Sequence, residues 1–283
     1  LLLINNPYVI LLSGTPTPES YSQMYHQVYG IPNNPFKHHK SFYKFAHEYI
    51  QITQKKIGAF NINDYSNGSD SIIEEMKPYT IAYTQKEAGF KVETNEEILY
   101  VDICNQAKDI IINLTKNLVV EGNDEIILGD TAVKLMSKTH QLCSGTVKFE
   151  SGNSMVICNN KAEYIRDKFK GQKIAIFYKF KEELNAIKQV FEDTICTELE
   201  DFNSTDKSIA LQIVSGREGI SLKLAEALVY YNIDFSATSY WQSRDRMTTK
   251  DRKFNKIYWI FAIGGIEKEI YKSVIKKKDY TLR

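Results

Sequence analysis

The sequence predicts an α/β fold built on a parallel sheet with helices on both faces, and three observations carry that expectation. Past residue 161, apolar runs of strand length alternate with amphipathic stretches of helix length, the pattern of successive strand–helix–strand units. All six prolines lie at or before Pro78, so the rest of the chain lacks the residue that most disrupts regular structure. The 283 residues, 43% of them hydrophobic, supply a core for one large domain or two ordinary ones. With 25% charged residues and a net charge of +1, the composition excludes a disordered or collagen-like chain. No apolar run approaches the roughly 18 residues of a membrane span. Cys104, Cys143, Cys158 and Cys196 are widely spaced with no CxxC, which points to reduced thiols and a cytoplasmic setting.

Taken in order, residues 8–12 (YVILL) read as a short buried strand leaving into Ser13-Gly14. Residues 20–29 and 41–50 carry aromatics at helical spacing, and 61–70 read as a polar loop. A strand over 97–104 is followed by helices over 105–120 and 131–143. The regular alternation then begins. Helices are expected over 162–169, 181–191, 239–247 and 266–277, and strands over 173–178, 209–214, 227–233 and 256–262. Strands buried on both faces imply a parallel sheet, and such sheets bind ligands at the carboxyl ends of their strands.

Three loops after strands hold the residues suited to chemistry. The first is Leu12-Ser13-Gly14-Thr15-Pro16. The second, Ser215-Gly216-Arg217-Glu218-Gly219-Ile220-Ser221, has two glycines that bring backbone N–H groups close to a ligand. The third contains Asp234, Tyr240, Gln242, Arg244, Asp245, Arg246 and Arg252. In this order, LLSGTPTPES, KIAIFYKF, IVSGREGISL and YYNIDFS with SYWQSRDR resemble motifs III, IV, V and VI of superfamily-two helicases. They are most similar to the Swi/Snf-type branch of DNA-dependent ATPases. KLMSKTHQLCSG and GGIEKEIYKSVIKKK resemble the helices that precede and close the second lobe of that branch.

The resemblance implies a RecA-like, P-loop NTPase-type lobe two over residues 93–283, with a helical protrusion at about 105–143. Residues 1–92 are then the end of lobe one. It further implies an ATP-driven duplex-DNA translocase whose whole form binds ATP and Mg²⁺ between two lobes. Gly14, Thr15 and Asp245 would couple to the nucleotide. Arg246 would be the arginine finger, with Gln242 beside it and Arg252 as a second candidate. Ser215, Gly216, Arg217, Gly219 and Ser221, with Tyr178 and Lys179, would contact the DNA backbone, which suits a motor that does not read sequence.

The sequence departs from the family in several places. No Gly is followed by Lys, and the only Asp-Glu pair, Asp124-Glu125, runs into Ile126-Ile127, so neither phosphate-loop nor metal-binding motif is present. Residue 1 is Leu, and the expectation is a fragment lacking the N-terminal lobe. Such a fragment would bind no ATP tightly and hydrolyse none. The second arginine position of motif VI falls on Thr249, and only about thirty residues separate motifs IV and V. That brevity suits a small viral or bacterial member. Two other readings stay open: another superfamily-two enzyme, strand-separating or restriction-type, and a non-catalytic nucleic-acid-binding module. Charge is uneven, since residues 237–283 hold 12 Lys and Arg against 5 Asp and Glu. The remainder holds 24 against 30. A basic end on an acidic body fits a phosphate-binding footprint. His38, His39 and His47 lack a Cys or paired carboxylate at ligand spacing, so an exposed helix start is expected and no metal site.

Overall fold

The computed structural model describes residues 8–13, 16–17, 20–57, 60–82, 86–122, 124–216 and 219–276. Residues 8–13 form no regular element, and Tyr8, Ile10 and Leu12 are 88%, 85% and 92% exposed. The buried strand expected there is not formed. Among the described residues no neighbouring strand pairs with this run, and without a ladder its backbone has no sheet to join.

Helices α1 (Gln23–Val28) and α2 (Phe42–Tyr49) enclose an aromatic core with Phe36. Tyr25, Phe45 and Tyr49 meet at ring centroid distances of 4.9 and 5.0 Å, so these aromatics serve packing, as their helical spacing suggested. Ser41 caps α2 by accepting from Lys44 N. His39 lies at the rim of this core, 7% exposed, so the exposed position expected for it is wrong, whereas His38 and His47 are exposed. Burial and the adjacent His38 hold the His39 imidazole below its ordinary pKa, against the opposite pull of Glu48. Strands β1 (Thr53–Ile57) and β2 (Phe60–Asp64) pair antiparallel where the sequence predicted a loop from residue 61. Phe60 and Ile62 alternate with Asn61 and Asn63, a period of two that the polar composition masked. Helix α3 (Ser71–Met76) adds Ile72 and Met76 to the core.

Strand β3 (Glu93–Val101) opens the main sheet. An insertion follows: α4 (Asn105–Asn117), the hairpin β4 (Val119–Glu121) and β5 (Ile126–Leu128), α5 (Ala132–Cys143), and the hairpin β6 (Thr146–Lys148) and β7 (Ser154–Val156). The two helices were expected and the hairpins were not. Their strands are three residues each, too short to show a period. Leu118 ends α4 in the left-handed region at φ 62°. The Asp-Glu pair falls in the first hairpin, where Glu125 accepts from Ser151 Oγ at 2.5 Å and Asn153 Nδ2 at 2.7 Å, which lowers its pKa.

The alternation then runs α6 (Asn160–Lys168), β8 (Ile174–Tyr178), α7 (Lys181–Phe191), β9 (Ile195–Cys196), α8 (Leu199–Ser204), β10 (Ser208–Gln212), α9 (Ile213–Gly216), β11 (Ala227–Tyr230), α10 (Ala237–Ser243), β12 (Phe254–Ala262) and α11 (Glu267–Val274). Six strands form one sheet in the order β3-β12-β11-β8-β10-β9, every pair parallel. The α/β fold with a helix-flanked parallel sheet is therefore observed. Side chains alternate between two cores. Ile174, Ile176, Ala227 and Val229 face α6 and α7, while Ala175, Phe177, Leu228 and Tyr230 face the side of Phe202, Tyr240 and Ile270. Each fully buried large apolar side chain contributes about 1.5–3 kcal/mol, so the two faces dominate stability. On the second face, Trp259 stacks on Tyr230 at 3.8 Å and gives its Nε1–H to Glu96 at 3.0 Å. Glu96 also pairs with Arg244 at 2.7 Å and accepts from Tyr240 and Tyr271, joining β3 to α10 and α11.

The end of α5 supplies a test. Gly145 has φ 78°, and a Cβ there would stand 2.3 Å from Cys158 O. Gly171 has the same φ with nothing within 4 Å. Gly171→Ala is expected to lose only the conformational cost of about 1–2 kcal/mol. Gly145→Ala should lose clearly more, read as a lower urea midpoint at unchanged m-value.

Candidate functional site

The site is built at the carboxyl ends of β8, β10 and β11 around one buried carboxylate. Glu183, three residues past Phe180 at the start of α7, is wholly buried. Its Oε2 accepts the backbone N–H groups of Lys179 at 2.7 Å and Phe180 at 2.9 Å, two of the groups a helix start leaves unpaired. Its Oε1 accepts from Asn232 Nδ2 at 2.5 Å, which locks the turn after β8 to the turn after β11. Lys179 is thereby brought against Asp234, with its ammonium paired to Asp234 Oδ1 and lying 4.5 Å over the Phe235 ring. Asp234 also accepts from Phe235 N at 2.9 Å and from Ser239 Oγ at 2.7 Å. Burial pushes its pKa up, but the Lys179 charge and these hydrogen bonds outweigh burial and hold it below the usual aspartate value.

Two further links complete the arrangement. Gln212, the last residue of β10, donates from Nε2 to Lys179 O at 3.1 Å. Leu222 N donates to Arg246 O at 2.8 Å, tying the glycine loop to the turn beyond α10. The turns after β8 and β11, the end of β10, the glycine loop and the turn beyond α10 thus form one hydrogen-bonded unit. Gln242 lies on α10, and Arg246, half-buried, donates from Nε to the Gln242 carbonyl at 2.9 Å. The helix ends at Ser243, not at the expected residue 247, so Asp245 and Arg246 sit in the following turn, with Asp245 exposed.

Arg252 is engaged differently. Its guanidinium donates to the carbonyls of Phe254, Lys223, Ala225 and Glu226 at 2.8–3.3 Å, at the amino-terminal ends of β11 and β12. Burial lowers its pKa. It straps the loop entering β11, and four of its donor directions are spent on backbone. Tyr178 is half-buried at the end of β8, with its phenol pKa raised by burial and then by Glu183. Gly219, at φ 70°, and Ser221 are exposed in the glycine loop. Ser215 and Gly216 are placed by the backbone of α9, and Gly14, Thr15 and Arg217 lie outside the described residues.

Sequence reasoning missed Glu183, Asn232 and His140. An acidic residue at the third helical position was a usable signal for Glu183; no signal marked His140. This histidine comes from α5 and is wholly buried between Phe180 and Phe235, at ring distances of 5.3 and 4.9 Å. Neither ring nitrogen makes a hydrogen bond of ordinary geometry, although the Asn232 side chain lies close enough to favour the charged form slightly against burial. Nearby, Lys161 Nζ meets Glu267 Oε1 at 2.9 Å and Tyr231 O at 3.2 Å, joining α6 to α11 beneath the same strand ends. All four cysteines are free thiols, and no helix among the described residues is long and apolar enough to cross a membrane.

No family model matches the sequence, and no curated protein matches it. Among solved structures, the chain is similar to the C-terminal part of the Fun30 ATPase domain, with 17% identity over 40% of this chain and a TM-score of 0.36. It is also similar to the Sulfolobus solfataricus SWI2/SNF2 ATPase core in complex with dsDNA, with 16% identity over 73% of this chain and a TM-score of 0.42. The chain spans 44% and 49% of those two chains, less than half of each.

The buried histidine generates a pH prediction. Burial first, then Lys179 and Lys161, hold its folded pKa well below the ordinary value of about 6.5. Below that pH the unfolded chain takes up a proton that the native chain refuses, so stability falls as pH drops, by up to about 1.4 kcal/mol per unit. His140→Phe, which keeps an aromatic ring between Phe180 and Phe235, should flatten the decline of the urea midpoint from pH 7 to 5.5.

Proposed function

We propose that this chain is the second-lobe portion of a Swi/Snf-type ATPase that moves along duplex DNA. The observation that carries the reading is the joined unit at the sheet's carboxyl edge: Gln212 to Lys179, Lys179 to Asp234, and Leu222 to Arg246. Such linkage suits a machine in which a change at the nucleotide must be felt at the nucleic acid. In this reading Arg246, with Gln242 and Asp245 around it, stabilises charge on the transferred phosphoryl group. ATP and Mg²⁺ are held mainly by phosphate-loop and metal-binding motifs of lobe one that are not among these 283 residues. Gly14 and Thr15 belong to the motif that couples to the nucleotide. The glycine loop, Ser215, Gly216, Arg217, Gly219 and Ser221, presents backbone N–H groups and small side chains to DNA phosphates. Tyr178 and Lys179 flank it, with Lys179 already balanced by Asp234, so its role is to hold the edge as much as to attract phosphate.

Arg252 is better read as a strap than as a second finger, because its guanidinium is taken up by backbone carbonyls. With Thr249 at the family's second arginine position, this commitment is what favours the non-catalytic module as a second reading. The cytoplasm is the setting we propose for either.

The tests separate the two readings. The chain alone should bind duplex DNA weakly, without sequence preference, and with affinity falling steeply as salt rises. It should turn over no ATP. In a longer protein that carries a phosphate-binding loop, Arg246→Ala should reduce turnover on the order of 10³-fold with DNA affinity nearly unchanged. Unchanged turnover would remove Arg246 from the role, and no turnover in the unmodified longer protein would favour the non-catalytic module.

A further inference from the structure

The aromatic core of α1 and α2 holds a second cluster that the reading above does not use. Counted along the chain, Glu48 is nine residues from His39, too far for a ligand pattern. Folding brings His38, His39 and Glu48 together, with one ligand atom of each within 4.8 Å of the other two. The distance between His39 Nε2 and Glu48 Oε2 is 3.4 Å. Zinc bonds to imidazole nitrogen and carboxylate oxygen are about 2.0–2.2 Å long, so two ligands of a tetrahedral ion stand roughly 3.3–3.5 Å apart. The pair already has the spacing of one tetrahedral edge.

His39 is also held as a ligand should be. The Tyr25 hydroxyl donates to its backbone carbonyl at 3.0 Å, and its ring stands edge-on to Phe45 at 5.9 Å and Tyr49 at 5.7 Å. More than nine-tenths of the residue is buried, and Nε2 has no hydrogen-bond partner although it faces the carboxylate. Its nearest polar neighbour is the Glu48 carboxylate at 3.4 Å, a contact that a proton or a bound cation between the two groups would satisfy. The His38 ring lies 3.9 Å from that of His39 and is exposed, so a rotamer change can bring its nitrogen to the third corner.

We propose that His38, His39 and Glu48 bind a single divalent transition ion, Zn²⁺ by the nitrogen-rich donor set, with water as fourth ligand. The ion would fasten the segment before α2 to the last turn of that helix across the shared aromatic core. This role is structural and independent of ATP and DNA.

The test uses the whole chain, stripped of metal by a chelator and desalted. Zn²⁺ is titrated against a chromophoric competitor, and Co²⁺ is added separately to read coordination from its visible spectrum. One equivalent of Zn²⁺ should bind, Co²⁺ should give the intense absorption of a tetrahedral site, and the melting temperature should rise with Zn²⁺. His38→Ala and Glu48→Gln alter exposed side chains and should fold, yet each should weaken binding by at least ~10-fold. His47→Ala, on an exposed neighbour outside the cluster, should bind as the unmodified chain does. No saturable binding, binding unaffected by the first two changes, or equal loss in His47→Ala would each overturn the assignment.

Discussion

The arrangement of the sheet's carboxyl edge depends on the removal of the Glu183 carboxylate from water. A buried charge of this kind is costly unless it is fully supplied with donors. Here the donors are two backbone N–H groups of the turn after β8 and the side-chain amide of Asn232 after β11. Satisfying one side chain therefore sets the geometry of two loops at once. Lys179 follows, because its backbone is one of the donors and its ammonium then faces Asp234. Asp234 orders Ser239 at the start of α10, and the far end of that helix carries Gln242 and the turn with Arg246. The α5 helix enters the same structure through His140, whose ring fills the space between Phe180 and Phe235. The insertion and the strand ends are thus packed as one piece.

What was legible in the sequence was what repeats. Strands β8, β10, β11 and β12 announce themselves through runs of buried residues such as Ile174 to Phe177, and their parallel order follows from the helices between them. The helices α5 and α7 were legible from periodicity. Elements of three residues, such as β4 to β7, lie below the length at which any period is visible. The YVILL run at residues 8–12 misled for the opposite reason. Apolar composition announces a strand, but only a neighbour can make one, and none lies beside it among the described residues.

The site divides in the same way. Gln242, Asp245 and Arg246 could be singled out because the resemblance fixes their spacing along the chain. Glu183, Asn232 and His140 come from three separate parts of the chain and meet only after folding; helix-start spacing marks Glu183 alone, and nothing along the chain joins it to the other two. Glu48 escaped notice beside His38 and His39 for the same reason. Arg252 is instructive in another way. A positive charge near a motif reads as a ligand for phosphate, yet the Arg252 guanidinium is taken up by backbone carbonyls before β11 and at the start of β12. Part of the basic excess at the C-terminal end is accordingly internal structure. Arg244, held by Glu96, is a second such case.

The two outer strands of the sheet have a consequence for behaviour at high concentration. One border is β9, two residues long and buried. The other is β3, nine residues long, with Glu93, Asn95 and Glu97 exposed along its first half. An open border invites pairing with a second chain when it is long, flat and apolar. The first border is too short to template such growth. The second presents acidic groups that would repel a stacked copy of themselves, which disfavours edge-to-edge pairing.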